Sequence, residues 1–569
     1  MLNLVAFSIF VGLVLARPDS NLANRNAEHP IVTTPLGQIE GTIIASRLGK
    51  PINTFRGIRY AKAPINELRF QPSVPAQKWT GTLNATIDGP LCPQPTDQPI
   101  SEDCLFVNVY SAKIPKGAEK PKLPVIVYIH GSGYKTVGAA SNWLGPQYLL
   151  DQEVVLVTFN YRIGTLGFLS TGDKEAPGNN GLKDQVLLLK WVKDNIAAFG
   201  GDPDMVTLMG YDFGADAVTL HMVSQMSQGL FHRAIAMSGS GLGNWPVPSH
   251  QLDLAKKQAK LVQCPDDTVS NIMKCLRGKT YNEISDAYPQ LKEFSKEPFT
   301  VWLPVIENDV GQKDRFLTAH PIQLIQNGQF AKVPFLTGVT TEEHAARAFR
   351  ILNNETLRKD WNENFEKVAP IALLYERGTD NSKATSKALK TFYYNDKPIE
   401  KTSVASTVQI LSDGITGFSV NRAAKLISEK SNQSVYYYRF NYGGRNSHFY
   451  TPQSNNTEPF GVVHNDDLMY LFFIEKLFPF FKDTTPNDAE MVFKMTKLWA
   501  NFAKTGNPIP EPHEKLDNVK WEPFNQKTQK YMDIANKLVL NEKLNEKRYA
   551  EWEKLFPLTH YTKNKVAAG

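Results

Sequence analysis

The chain has only four cysteines in 569 residues, no C-x-x-C pair and no dense run of lysine and arginine. Without C-x-x-C pairs a zinc site is disfavoured, and no other metal-ligand spacing stands out. Without a basic run or an aromatic-basic stripe, nucleic-acid binding is excluded as a function class. Lys and Arg number 63 against 57 Asp and Glu, and the net charge of +6 is what a solvated surface carries. Beyond the first sixteen residues no apolar stretch approaches the length needed to span a bilayer. There is no internal repeat, low-complexity tract or linker, and a chain 42% hydrophobic and 21% charged is globular.

What is present starts with a leader. Residues 1–16, M-L-N-L-V-A-F-S-I-F-V-G-L-V-L-A, carry no charged side chain and end in the small-residue pattern Val14, Ala16 before Arg17-Pro18-Asp19. The expectation is a signal peptide cut after Ala16, leaving one secreted domain over residues 17–569 with no membrane span. The C-terminus, H-Y-T-K-N-K-V-A-A-G, has neither a lipid-anchor tail nor an ER-retention tetrapeptide. Cys92 and Cys104 lie twelve positions apart, Cys264 and Cys275 eleven, and short disulfide-closed loops suit an oxidising compartment. Sequons at Asn84, Asn354, Asn432 and Asn455 are candidate glycan sites on such a protein.

From about residue 124 buried strands and helices alternate. L-P-V-I-V-Y-I-H runs into Gly131-Ser132-Gly133, V-V-L-V-T-F-N-Y comes next, and Leu182, Val186, Leu189, Val192 and Ile196 recur at helical spacing up to Gly200-Gly201. M-V-T-L-M leads through G-Y-D-F-G to a helix expected from near Ala215, and A-I-A-M-S is a fourth strand. Strands alternating with helices predict an α/β fold, a large mostly parallel sheet covered on both faces. Residues 280–400 read as helical and irregular, with no order evident from pattern.

A G-x-S-x-G pentapeptide between strand and helix forms a turn so sharp that its central side chain stands above the sheet. Here the strand and the helix are in place, but the pentapeptide is G-Y-D-F-G and its centre is Asp212. Around it F-R-G-I-R-Y-A-K-A-P, S-E-D-C-L-F-V-N-V-Y, F-N-Y-R-I-G-T-L-G-F-L, N-N-G-L-K-D-Q and N-I-A-A-F-G-G-D-P-D-M-V-T-L occur in order. In these motifs, spread over about residues 30–557, the chain resembles the type-B carboxylesterase/cholinesterase family. The resemblance implies an α/β-hydrolase sheet of eight or more strands with an active-site gorge. It also implies the disulfides Cys92–Cys104 and Cys264–Cys275 and an Arg69–Glu102 ion pair. The family's acid corresponds to Glu343 in G-V-T-T-E-E-H, and its histidine to His464 in G-V-V-H-N-D-D. The oxyanion donors correspond to the backbone N–H groups of Ser132, Gly133 and Phe213. The departures gather there: aspartate for serine, H-G-S-G-Y for H-G-G-G-F, and bulky Phe213 after the nucleophile position, large enough to fill part of the gorge.

A carboxylate has no proton to give and attacks an ester carbonyl poorly, so ordinary ester hydrolysis is the least expected activity. With Asp212 and Glu343 on either side, His464 is expected to rest as imidazolium. The leading expectation is a non-catalytic, secreted protein acting in extracellular binding or adhesion, similar to the family's glutactin-like members, with an extracellular protein or a small hydrophobic ligand as partner. One alternative uses Asp212 as nucleophile on an epoxide or alkyl halide, with Tyr134 or Tyr211 as proton donor. Another is a ligand carrier using the remnant gorge. No aromatic residue lies between Cys92 and Cys104, which disfavours a choline ester. G-S-G-Y-K-T superficially resembles a phosphate loop, but Tyr134 occupies the required glycine position, and no cofactor motif remains. His130 is read as structural support. Ser238 and Ser240 lack an elbow, and Glu342 and His344 are read as solvated or hydrogen-bonded neighbours of Glu343.

Overall fold

The structure, a computed structural model, describes residues 29–450, 460–482 and 486–561. The expected leader and Asn455 lie outside these residues. In chain order the strands are β1 (Ile31–Thr34), β2 (Gly37–Glu40), β3 (Thr42–Ala45), β4 (Pro51–Arg59), β5 (Thr82–Asn84), β6 (Phe106–Ser111) and β7 (Leu123–Ile129). They continue as β8 (Val155–Phe159), β9 (Gly201–Tyr211), β10 (Arg233–Met237), β11 (Phe335–Thr340), β12 (Val435–Phe440), β13 (Lys530–Ile534) and β14 (Leu538–Glu542). β1, β2 and β5 form a small sheet. The other eleven form one sheet in the order β14-β13-β12-β11-β10-β9-β7-β8-β6-β4-β3, which is the α/β-hydrolase arrangement expected from sequence.

Its centre, from β8 to β13, is parallel, and antiparallel strands finish both sides. Side chains alternate across a strand, so a doubly covered sheet needs apolar residues at both parities. β7 shows this directly. Val125, Val127 and Ile129 enter one core, and Ile126 and Tyr128 enter the other. The helix Asn180–Asn195 buries Leu182, Val186, Leu189 and Val192, and the turn at Gly200 has φ +86°, a conformation glycine adopts freely. The helix after β9 begins at Phe213, two residues earlier than the sequence suggests. β11, F-L-T-G-V-T, lies inside the segment where pattern alone shows no order.

Both disulfides are formed, Cys92–Cys104 and Cys264–Cys275. Arg69 meets Glu102 through Nε at 2.6 Å and Nη2 at 2.5 Å, and its Nη1 also donates to the Leu276 carbonyl beside Cys275. That fork ties the two disulfide regions together. Asn84, Asn354 and Asn432 are exposed. Among the described residues no helix is long and apolar enough to cross a membrane.

In this sheet β7 has β8 on one side and β9 on the other, so the loops leaving β7 and β9 diverge at their C-terminal ends. Such a switch point opens a crevice at the sheet's edge, where ligands of α/β proteins bind.

Candidate functional site

Asp212 sits between β9 and the helix Phe213–Val223 with φ +55° and ψ −127°. A side chain in this conformation is strained, and close packing of the glycines around it holds the turn. A Cβ on Gly210 would collide with the Gly214 carbonyl, one on Gly214 with the Ile129 carbonyl, and one on Gly239 with the Asp212 carbonyl. The turn therefore lifts the Asp212 side chain over the C-terminal ends of β7 and β9.

One oxygen of the carboxylate is held by two donors. Oδ2 accepts the backbone N–H groups of Ser132 at 2.6 Å and Gly133 at 3.1 Å, while Oδ1 faces His464 Nε2 at 3.6 Å. Ser132 and Gly133 both have φ near +65°, which turns their amides in the same direction. Burial pushes the Asp212 pKa up, but His464 and the amides of Phe213 and Gly133 prevail and hold it below the ordinary carboxylate value. The dipole of the helix that starts at Phe213 works in the same sense.

His464 Nδ1 lies 2.6 Å from Glu343 Oε2. Burial alone would lower the pKa of His464. Asp212 and Glu343, by hydrogen bonding and charge, outweigh it and raise it to about 10. Glu343 is fixed in turn by Ser238 Oγ at 2.7 Å and the Thr340 N–H at 2.8 Å, both donating to Oε1. Ser238 thus acts on the acid, a role its sequence context does not suggest. The structure therefore brings Asp212, Glu343 and His464 together, with the Ser132 and Gly133 amides on Asp212.

Phe213 turns away from the crevice, into the rings of Tyr134 and Trp245 at 5.2 and 5.9 Å. It does not fill the gorge, because its ring packs behind the turn. What remains is a cavity of about 440 Å³ reaching Asp212, Glu343 and His464, with Trp143, Leu144, Leu468 and Ile474 among its walls. That volume lies within the usual range for small-molecule sites. Tyr211 lines it, with its hydroxyl accepting the Asn465 N–H at 2.6 Å. Tyr134 does not, since it packs against Phe168 and Phe213, so only Tyr211 of the two sequence candidates borders the site. His130 stacks on Tyr161 at 4.3 Å, and burial lowers its pKa to about 3, so it stays neutral beneath the oxyanion loop. His344 bonds Thr416 Oγ1 at 2.9 Å and stacks on His464 at 5.3 Å. Among the described residues no group of three or more His, Cys, Asp or Glu is placed to hold a metal.

Fold and site together define an α/β-hydrolase with Asp212, Glu343 and His464 assembled beside an open cavity. Residues 28–552 match the carboxylesterase family, and the chain belongs to it. It is 34% identical over 527 residues to juvenile hormone esterase of Tribolium castaneum, covering 89% of this chain and 88% of that one. It is 31% identical to venom carboxylesterase-6 of Apis mellifera, covering 94% of each. Among solved structures, juvenile hormone esterase from Manduca sexta with OTFP covalently attached superposes with a TM-score of 0.83. The two are 28% identical, and the match covers 93% of this chain and 100% of that one.

Proposed function

We propose that this chain is a non-catalytic member of its family that holds a small hydrophobic ligand in the gorge, outside the cell. One observation carries the reading: Asp212 Oδ2 occupies two of the three backbone donors that an ester's developing oxyanion would need, those of Ser132 and Gly133. Asp212 also stands where the family pattern has serine. The nucleophile is thus absent and its oxyanion site is already filled. His464, charged between two carboxylates, is a poor base. The relatives' names speak for esterase chemistry on this scaffold, and the scaffold survives here in full, including the cavity. The leader over residues 1–16, the two disulfides and the exposed sequons support a secreted glycoprotein of one domain over residues 17–569, and the name of the Apis mellifera relative agrees with that address. The open cavity favours a ligand over a purely adhesive role.

The test is hydrolysis of short-chain 4-nitrophenyl esters by the secreted wild type, Asp212→Asn and Asp212→Ser. Loss of the serine from such a triad costs on the order of a million-fold in turnover, so the wild type should be silent. Activity should appear in Asp212→Ser, where the amides are freed. Wild-type ester turnover that disappears in Asp212→Asn would sink the proposal.

A second reading has one observation in its favour. Oδ2 is anchored while Oδ1 faces the His464 side of the cavity. Attack of Oδ1 on an epoxide carbon would form an alkyl ester and break the carbon–oxygen bond, with the Tyr211 hydroxyl as proton donor to the leaving oxygen. The new ester carbonyl oxygen would already lie in the Ser132 and Gly133 amides, and water attacking that carbonyl would return a proton to the Tyr211 oxygen, release the diol and restore the Asp212 carboxylate. Styrene oxide hydrolysis by the wild type, lost in Asp212→Asn, would favour this reading over the first.

A further inference from the structure

The geometry points to an anion subsite in the wall of the Asp212 cavity, built on Arg347, that takes the carboxylate head of an amphipathic ligand. The inference rests on the ligand-binding reading above and specifies what that ligand carries.

Arg347 lines the cavity, and its side chain is only 9% exposed. Nε donates to Glu297 Oε1 at 3.2 Å and Nη2 to Glu297 Oε2. Nη1 is buried and makes no hydrogen bond within the protein, while the guanidinium carbon lies over the Phe299 ring, 4.9 Å from its centroid. Leaving a charged donor unsatisfied in a buried place costs more than making its bond contributes, so this N–H calls for an acceptor. Glu297 is already shared between two guanidinium groups, since its Oε1 also accepts Arg350 Nη2 at 2.5 Å.

Two lysines crowd the same place. Lys135 Nζ and Lys292 Nζ both donate to the Phe299 carbonyl, at 2.9 and 3.0 Å, and Phe299 itself lines the cavity. Arg347, Arg350 and the two lysines therefore share the field of Glu297. Burial first, and then the positive charges of their neighbours, lower Lys135 to about 8 and Lys292 to about 7. The Asp212 charge also acts on Lys135, raising its pKa, while its two oxygens are directed at the Ser132 and Gly133 amides and at His464. Guanidinium and carboxylate form the strong, charge-assisted type of hydrogen bond, and a neutral ester offers a weaker acceptor. Elsewhere the cavity wall is apolar, with Trp143, Leu468, Ile474 and Leu477 suited to an aliphatic tail.

The experiment is equilibrium binding of dodecanoate and of methyl dodecanoate, below their micellar range, to the full secreted chain and to Arg347→Gln and Arg347→Lys. In the wild type the acid should bind at least ten-fold tighter than the ester, about 1.4 kcal/mol. Both variants should lose that preference. The single ammonium of Arg347→Lys can still pair with Glu297, so that variant keeps the local ion pair and tests the subsite even if Arg347→Gln does not fold. Equal binding of acid and ester by the wild type overturns the anion subsite and leaves the ligand-binding reading standing. Binding of neither overturns both. A preference for the acid that persists in the folded variants overturns the assignment to Arg347.

Discussion

Glu343 holds His464 Nδ1 at 2.6 Å while Asp212 Oδ1 lies 3.6 Å from Nε2, so two carboxylates favour the proton on one ring. The folded chain binds that proton more tightly than the unfolded chain, with the pKa raised from 6.5 to about 10. The stability this contributes is complete below pH 6.5 and is lost as pH rises through about 10. We expect His464 imidazole resonances to show the doubly protonated ring at pH 8, and the melting temperature to fall between pH 6.5 and 10. Asp212→Asn removes one of the two charges, so the pKa should drop and this alkaline fall should shrink. A neutral ring at pH 8 in the wild type would contradict the whole electrostatic account. The members of this triad can be named from sequence because each stands in a local motif. The part played by Ser238 cannot, because its contact with Glu343 spans 105 residues and depends on β10 and β11 being neighbours. Arg347 is illegible for the same reason, its partner Glu297 lying 50 residues away.

At the scale of elements, the turn that carries Asp212 owes its geometry to the glycines around it. Gly214 packs against the Ile129 carbonyl at the end of β7, and no side chain fits between them. Gly214→Ala should therefore cost about 3 kcal/mol, the upper end of what overpacking costs, and reduce the yield of folded protein. Gly443→Ala, where an added methyl meets nothing within 4 Å, should leave yield and melting temperature nearly unchanged. Equal behaviour of the two would mean that the turn tolerates displacement and that its strain is not held by packing. β7 to β10 can be read directly because doubly buried strands appear as continuous apolar runs. β11 cannot. Its six residues, F-L-T-G-V-T, include two threonines and a glycine, and short runs carry no period that separates strand from helix. Gly338 makes sense only beside its partner strand, since a side chain there would collide with the Tyr438 ring of β12.

For the molecule as a whole, the decisive property is that the cavity above Asp212 stays open. Sequence cannot foretell this, because the direction of Phe213 is decided by Tyr134 and Trp245, packed against it from separate loops. An open, apolar cavity of about 440 Å³ exists in the native state only, so an occupant should stabilise the fold by mass action. At a hundred times its dissociation constant, a ligand adds about 2.7 kcal/mol. Thermal melts with methyl dodecanoate then distinguish a holder from a hydrolase by time. In the wild type the rise in melting temperature should grow with the logarithm of ligand concentration and be unchanged after a day of incubation. In Asp212→Ser the same rise should decay as the ester is cleaved, with methanol accumulating at the matching rate. A wild-type rise that decays in step with methanol release would mean that the aspartate still supports turnover. A persistent rise without methanol is the expected outcome, because Asp212 already fills the amides that the ester's oxyanion would need.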